Sequence, residues 1–428
     1  MTGGIGEQHE VAIEAIGARG DGIARLGNAT VFVPLALSGD RVRVRITARR
    51  GDALAADVVE WLEQAERACP PCPHFGVCGG CQLQHLPVAP YRAWKREQVV
   101  AALMRRGLHG IRVEPLATIP PGARRRARFA FVRHGAQVRL GFRERSGHRV
   151  IALGACPVLA PELVALLPPL EALLAGLDLA CRGGEIEATA SATGIDLLVV
   201  GATAPGLADR EALAAFADAR DLACISWCRD AAALAEPIVR RRQPSVVFEK
   251  VRVDLPSGAF LQASAAAEGA IRRAIERAVG DARQIADLFA GCGTFGLPLA
   301  AAGGVVHAVE ADATMLEALR HAAARVGLAV TSEQRDLHTA PLAGVELDRF
   351  DALVVDPPRA GARAQAAAIA ASGVARLAMV SCNPATFARD ARILVDGGYR
   401  CLWVQPVDAF LWSSRIELVA AFTRETPT

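Results

Sequence analysis

No stretch of this 428-residue chain is both long and uninterruptedly apolar, although 52% of its residues are hydrophobic. The most apolar long run, 157–180, carries Glu162, Glu171, Asp178 and four prolines, which excludes a membrane span and predicts a pair of soluble helices. Met1 to Glu10 is glycine-rich and polar, without the apolar core of a secretory signal. Eleven cysteines with no export signal argue against a disulfide framework and for free thiols, a metal or a cluster. These absences point to a cytoplasmic enzyme of about two to four domains, acting as a monomer and away from membranes.

A strong overall charge is also missing, because the formal balance is only +3. It is unevenly spread. Between Arg92 and Cys156 stand fifteen Lys and Arg against three Glu, a local +12 that leaves −9 for the remainder. A solvated face is the plain explanation of any charge run, but clustering on this scale favours a polyanion, nucleic acid above all. Arg124-Arg125-Arg126-Ala127-Arg128 leads into an alternating strand pair around Gly135, with basic side chains on one side and Phe129, Phe131, Val138, Leu140 and Phe142 on the other.

Up to about Glu66 the chain reads as short strands divided by glycines: Val11 to Ile16, Ile23 to Arg25, Thr30 to Val33, Arg41 to Ile46 and Ala55 to Trp61. Five such strands in so short a segment predict a small barrel. In Arg41-Val42-Arg43-Val44-Arg45-Ile46 the period of two turns three arginines outward. That row suits phosphate contact, and an edge strand guarded by charge gives the same pattern. The segment resembles a TRAM domain, an RNA-binding barrel appended to RNA-modifying enzymes.

Cys69-Pro70-Pro71-Cys72-Pro73-His74-Phe75-Gly76-Val77-Cys78-Gly79-Gly80-Cys81 places four sulfurs within thirteen residues. Paired knuckles would hold zinc, but the five residues between Cys72 and Cys78 are far fewer than the roughly 15 to 20 of the usual ribbon loop. Alternatively Cys72, Cys78 and Cys81, with the distant Cys156-Pro157, supply the four thiolates of an iron–sulfur cluster, and Cys69 is spare.

From about Val251 strands alternate with helices. Ile285 to Phe289, Val305 to Val309, Ala352 to Val355 and Leu377 to Val380 read as a parallel sheet covered by helices at Ala313 to Val326 and Ala362 to Ala371, and Cys401 to Val404 with Ile416 to Phe422 as a closing antiparallel pair. Gly291, Gly293 and Gly296 satisfy the dinucleotide fingerprint by spacing, and Glu310 ends the next strand where a ribose hydroxyl would be held. A nicotinamide-dependent oxidoreductase is therefore one reading. Glu310 also suits a plain solvated loop carboxylate. Cys382 follows the strand Leu377 to Val380, at the carboxyl end where ligands gather in such sheets; it is either a nucleophile or a small buried hydrophobe.

Asp287-Leu288-Phe289-Ala290-Gly291-Cys292-Gly293-Thr294 and Asp356-Pro357-Pro358-Arg359-Ala360-Gly361 resemble class I S-adenosylmethionine-dependent methyltransferases. With Ser381-Cys382-Asn383-Pro384-Ala385-Thr386-Phe387-Ala388-Arg389-Asp390 and the cysteine run ending in Gln82-Leu83-Gln84-His85, nearly the whole chain resembles the RNA uridine-5-methyltransferase family, in the form that methylates 23S ribosomal RNA. The resemblance implies a multidomain fold. An OB-like TRAM barrel would occupy 1–66, an α+β central domain with a 4Fe-4S cluster 67–250, and an α/β Rossmann-like methyltransferase domain 251–428. A helix at about 92–120 is a candidate to pack on the catalytic domain.

The same resemblance implies that Cys382 adds to C6 of uracil, that Glu417 removes the C5 proton, and that Gln262, Phe289, Gly291, Gly293, Thr294, Glu310, Asp336 and Asp356 contact S-adenosylmethionine or orient the base. The chain departs from the pattern at Arg415, where relatives usually carry histidine, and at Thr294, where many have asparagine. The implied partner is 23S ribosomal RNA, with transfer RNA the alternative; a non-catalytic, cluster-bearing RNA-binding protein is a further one. Uracil is preferred to cytosine because the Asp356-Pro357-Pro358 loop offers no second thiol.

Overall fold

The computed structural model describes residues 4–201, 203–230 and 233–424. Its first sheet runs, from edge to edge, Gln8–Ala12, Arg41–Arg50, Ala53–Glu63, Ala29–Val33, Gly22–Leu26 and Ala15–Ile16. The two outermost strands are successive in the chain, with only Ile13 and Glu14 between them, so the sheet curls until its edges meet in a small barrel. Val42, Val44 and Ile46 fill its core. The arginine row does not guard an edge, because Arg41–Arg50 is paired on both sides. Nor is all of it free: Arg41 pairs with Glu63, and Arg43 with Glu10 and Glu60, carboxylates supplied by the neighbouring strands.

The second sheet has seven strands in the order Glu236–Arg240, Cys224–Cys228, Gly194–Val200, Gly184–Ser191, Arg126–His134, Gln137–Arg143 and Val150–Ala152. Phe129, Phe131, Leu140, Ile186 and Leu197 turn one face toward the helix Pro161–Gly176. The run at 157–180 holds that helix and the start of a short 3-10 helix, Asp178–Arg182, rather than two α-helices. Pro168 and Pro169 lie inside the α-helix, and the stripe Leu163, Leu166, Leu167, Leu170 and Leu174, all buried on the sheet, outweighs the backbone hydrogen bonds the prolines remove. On the opposite face, Arg126 and Arg128 both pair with Glu187 across the strands.

The third sheet carries the strand order Val330–Gln334, Val305–Glu310, Gln284–Leu288, Ala352–Val355, Arg376–Ser381, Glu417–Thr423 and Arg400–Val407. The first five are parallel, and Glu417–Thr423 is antiparallel to both its neighbours. Strand order reverses between Gln284–Leu288 and Ala352–Val355, so a crevice opens at their carboxyl ends. The helix Val88–Met104 packs Val99, Ala102 and Leu103 into the same core as Leu353, Phe387 and Leu418. Beyond it, Glu114 N donates to Val404 O at 2.8 Å, and short bridges at Val113 and Ala117 cover the exposed edge of Arg400–Val407.

Candidate active site

The loop after Gln284–Leu288 turns sharply: Phe289 has φ 64°, Gly291 54° and Gly293 90°. At Gly293 a Cβ would stand 2.6 Å from Leu297, so this glycine serves the packing of the loop on its own helix. Glu310, at the end of the adjacent strand, accepts from Gly291 N at 2.9 Å through one oxygen and from Ala311 and Asp312 N at 2.8 Å through the other. It braces the glycine loop and keeps lone pairs for a hydroxyl donor. Thr294 is partly buried beside the Cys292 thiol, which burial pushes up to about 12.

Asp287 is buried, and its carboxylate accepts from Gly296 N at 2.9 Å, where a Cβ on residue 296 would meet the carboxylate oxygen at 2.6 Å. This overturns the nicotinamide reading of the glycine spacing. In a dinucleotide site the helix N-terminus receives the pyrophosphate, whereas here a buried acid occupies it. Loss of solvent, and then Asp356, push the Asp287 carboxyl up to about 8.

Asp356 accepts from Gln262 Nε2 at 3.2 Å, and desolvation pushes its carboxyl up to about 7. Gln262 itself is buried. Phe289 tilts against His338 at 5.3 Å. Asp336 is exposed, and its carboxylate accepts from His338 N at 2.9 Å and the Thr339 hydroxyl at 3.1 Å; the His338 bond chiefly holds it below the usual carboxylate range.

Cys382 immediately follows the strand Arg376–Ser381 and precedes the helix Pro384–Asp396, whose first turn Asn383 caps by accepting from Ala385 N at 3.1 Å. Asn383 Nδ2 and the Thr386 hydroxyl each donate to Arg359 O at 3.3 Å, and Ala362 N donates to the fully buried Asp390 at 2.8 Å. The loop at 356–361 and the cysteine loop are thus locked together. Gly361, at φ 79°, is needed there, because a Cβ would lie 2.5 Å from the Asp390 carboxylate.

The strand pairing sets Leu418 opposite Ser381, which brings Glu417 to the same end of the sheet as Cys382. The half-buried thiol is pushed up to about 11, first by burial and then by the Glu417 and Asp356 carboxylates. Glu417, 5% exposed, is raised well above the usual carboxylate range by burial and then by Asp356. A thiol and two carboxyls therefore feel one another at the sheet end.

A cleft of about 1410 Å³ opens at this point, and Cys382, Asn383 and Arg415 share its lining with Cys72, Cys78, Cys81 and Cys156. Burial raises the Cys78, Cys81 and Cys156 thiols, Cys81 to about 12, and each is raised further by others of the four. Cys69 is exposed. Among the described residues no three His, Cys, Asp or Glu stand close enough to grip one metal ion. Arg124, Arg359 and Arg415 also line the cleft and have no carboxylate partner among the described residues; Arg124 lies over the Phe410 ring at 5.8 Å.

Sequence reasoning misses three groups beside the site. Lys95 and Tyr91, on the helix Val88–Met104, meet Asp408, and all three are buried. The one available signal is their spacing of four residues, which puts a lysine on the apolar face of a helix.

The chain is similar throughout to RNA methyltransferases. The TRAM domain family matches residues 5–59, and the tRNA (Uracil-5-)-methyltransferase family matches residues 241–418. An RNA methyltransferase of Brucella suis is 42% identical over 97% of this chain and 98% of its own. The 23S rRNA (uracil(1939)-C(5))-methyltransferase RlmD of Halomonas elongata is 37% identical over 96% of this chain and 88% of its own. In fold, the tRNA (uracil-54, C5)-methyltransferase of Pyrococcus abyssi, solved with S-adenosyl-L-homocysteine, matches 97% of this chain and 100% of its own with a TM-score of 0.74 at 20% identity. With a TRAM barrel at one end and a methyltransferase sheet at the other, the chain belongs to the RNA uracil-5-methyltransferase family, enzymes that methylate C5 of uracil in RNA with S-adenosylmethionine.

Proposed function

We propose that this enzyme methylates a uridine of 23S ribosomal RNA, with Cys382 as nucleophile and Glu417 as the base that releases the product. The observation that carries the mechanism is the Cys382 thiol at a strand end with the buried Glu417 beside it. C5 of uracil is a weak nucleophile. Once its proton has passed to water, the Cys382 thiolate gives an electron pair to C6, and the C5–C6 pair moves toward O4 to leave an enolate at C5. S-adenosylmethionine, when bound, supplies the methyl group that C5 attacks and keeps the sulfur–carbon electron pair. Glu417, as the carboxylate that the bound cationic cofactor favours, then takes the C5 proton, the C–H electrons rebuild C5=C6, and the C6–S pair returns to Cys382.

Gln262, Phe289, Gly291, Gly293, Thr294, Glu310, Asp336 and Asp356 form the wall for the cofactor in this reading. The Glu310 carboxylate has capacity left for a ribose hydroxyl, and Phe289 offers an aromatic face. Cys72, Cys78, Cys81 and Cys156 suit a 4Fe-4S cluster. All four thiols line one cleft, and the five residues between Cys72 and Cys78 are too few for the usual zinc ribbon loop of roughly 15 to 20. The preference for 23S RNA rests on the Halomonas relative, similar along almost the whole chain.

Two experiments test the proposal. Mapping 5-methyluridine in 23S and transfer RNA from a strain lacking the gene should show loss from 23S RNA alone; loss from transfer RNA instead would reverse the substrate assignment. With labelled cofactor and denaturing electrophoresis, Cys382→Ala should give no methylation and no adduct. Glu417→Gln should leave methylated RNA attached to Cys382. Methylation by Cys382→Ala, or normal turnover by Glu417→Gln without an adduct, would sink the corresponding role.

A further inference from the structure

Residues 408–416 form a strap between the last two strands, Arg400–Val407 and Glu417–Thr423, and the strap ends at Glu417. Its grip comes from outside the matched methyltransferase segment. Lys95 is fully buried, and its ammonium stands 2.9 Å from the Asp408 carboxylate, donates to Phe410 O at 3.2 Å and donates to Arg415 O. One turn earlier on the same helix, the Tyr91 hydroxyl donates to Asp408 at 2.7 Å and accepts from Trp412 N at 2.8 Å. From the other side Gln82 and Leu83 N donate to Trp412 O at 2.9 and 3.0 Å, and Ser414 N donates to the Gln82 side chain at 3.1 Å.

The residue type is informative. The chain has 46 arginines and only two lysines, yet a lysine occupies this buried site. From one nitrogen the ammonium donates to two carbonyls of a bent strap while its charge stands against the Asp408 carboxylate, an arrangement the planar fork of a guanidinium does not match. Burial alone drives the ammonium toward its neutral form, and Asp408 opposes this.

We propose that Lys95, aided by Tyr91, is a positioning residue for proton removal: by holding the carbonyl of Arg415, two residues before Glu417, it fixes the Glu417 carboxyl against the carbon joined to Cys382. This rests on the roles given above to Cys382 and Glu417. The loops that carry Cys382 and Asp356 are anchored by hydrogen bonds of Asn383, Thr386 and Asp390, in which Lys95 and Tyr91 take no part. Loss of the grip therefore slows release of the product and leaves addition and methyl transfer in place.

The test compares full-length wild-type enzyme with Lys95→Met, Lys95→Met/Asp408→Asn and Glu417→Gln, using RNA and labelled S-adenosylmethionine. The single variant leaves a carboxylate buried and unpaired, whereas the double variant removes both charges. The expected result for the double variant is cofactor affinity within about threefold of wild type, turnover reduced by about tenfold or more, and a denaturation-resistant labelled adduct several-fold above wild type. Should both lysine variants unfold, Tyr91→Phe decides the matter: it deletes one oxygen and should accumulate adduct in the same direction. A folded variant whose turnover falls without adduct, or whose turnover is normal, overturns the proposal while an adduct on Glu417→Gln leaves the parent mechanism standing. No adduct on Glu417→Gln removes the parent mechanism and this inference together.

Discussion

Cys382 rests as a thiol because its surroundings oppose a second negative charge. Burial is the main cause, and the carboxyls of Glu417 and Asp356 add to it. The acids around it obey the same rule: Asp287 is pushed up to about 8 and Asp356 to about 7. Such a site stores protons when empty, and a cationic cofactor beside the carboxyls would favour their release. The linkage has a definite sign. A carboxyl whose pKa rises from 3.8 unfolded to about 8 folded gives stability that is complete below pH 3.8 and is lost as pH rises toward 8. Each pH unit in that window costs up to about 1.4 kcal/mol per carboxyl. Asp287→Asn stays neutral and can still accept from Gly296 N. Its unfolding midpoint, measured from pH 5 to 9, is expected to fall less steeply than that of wild type by several degrees over the range. Parallel curves would mean that Asp287 is ionised in the folded protein.

At the scale of elements, the cysteine turn of residues 69–85 is built into the site. Cys78 bridges to Glu144 beside the central sheet, Gln84 accepts from Cys72 N at 3.1 Å, and Gln82 holds the strap that leads to Glu417. A cluster on Cys72, Cys78, Cys81 and Cys156 would tie these pieces together. Protein purified without oxygen is then expected to be brown and to contain iron and sulfide, with the colour lost on serine replacement of any of the four and kept on replacement of Cys69. Stoichiometric zinc without sulfide would refute the cluster. The two catalytic candidates differ in how openly the sequence displays them. Cys382 is visible as a thiol between an apolar strand and a helix, a local pattern. Glu417 is one carboxylate on a strand and emerges only through family resemblance, since its burial depends on strands paired with it from elsewhere in the chain. Lys95 and Asp408 are invisible, because Tyr91 and Asp408 meet across 317 residues and only the folded chain brings them together. In the helix Pro161–Gly176, burial of the leucine stripe carries the α-helix through Pro168 and Pro169.

Over the whole molecule, the +12 between Arg92 and Cys156 is a sound count and a weaker field than it suggests. Arg126 and Arg128 share Glu187, some sixty residues away, and Arg125 is paired with Glu268 at 2.5 Å. Two arginines of the barrel row are likewise paired across strands. Sequence alone shows how many charges a segment has; strand register decides which of them face a carboxylate. The arginines left without carboxylate partners among the described residues include Arg124, Arg359 and Arg415, all around the cleft that holds Cys382. Each is free to replace a counterion on a phosphate, whereas a paired arginine must first give up its carboxylate. RNA affinity is therefore expected to fall steeply with salt. Replacing Arg124, Arg359 and Arg415 by Gln should lower the slope of log affinity against log salt by up to about 2, at roughly 0.7 per contact with single-stranded RNA. Replacing Arg41 and Arg43 should change that slope by less than half as much. Binding of one RNA fragment to the full-length variants across a salt series measures both. If the barrel pair flattens the slope as much as the cleft triple, the ion pairs on the barrel open on binding and the phosphate track begins there rather than at the active-site cleft.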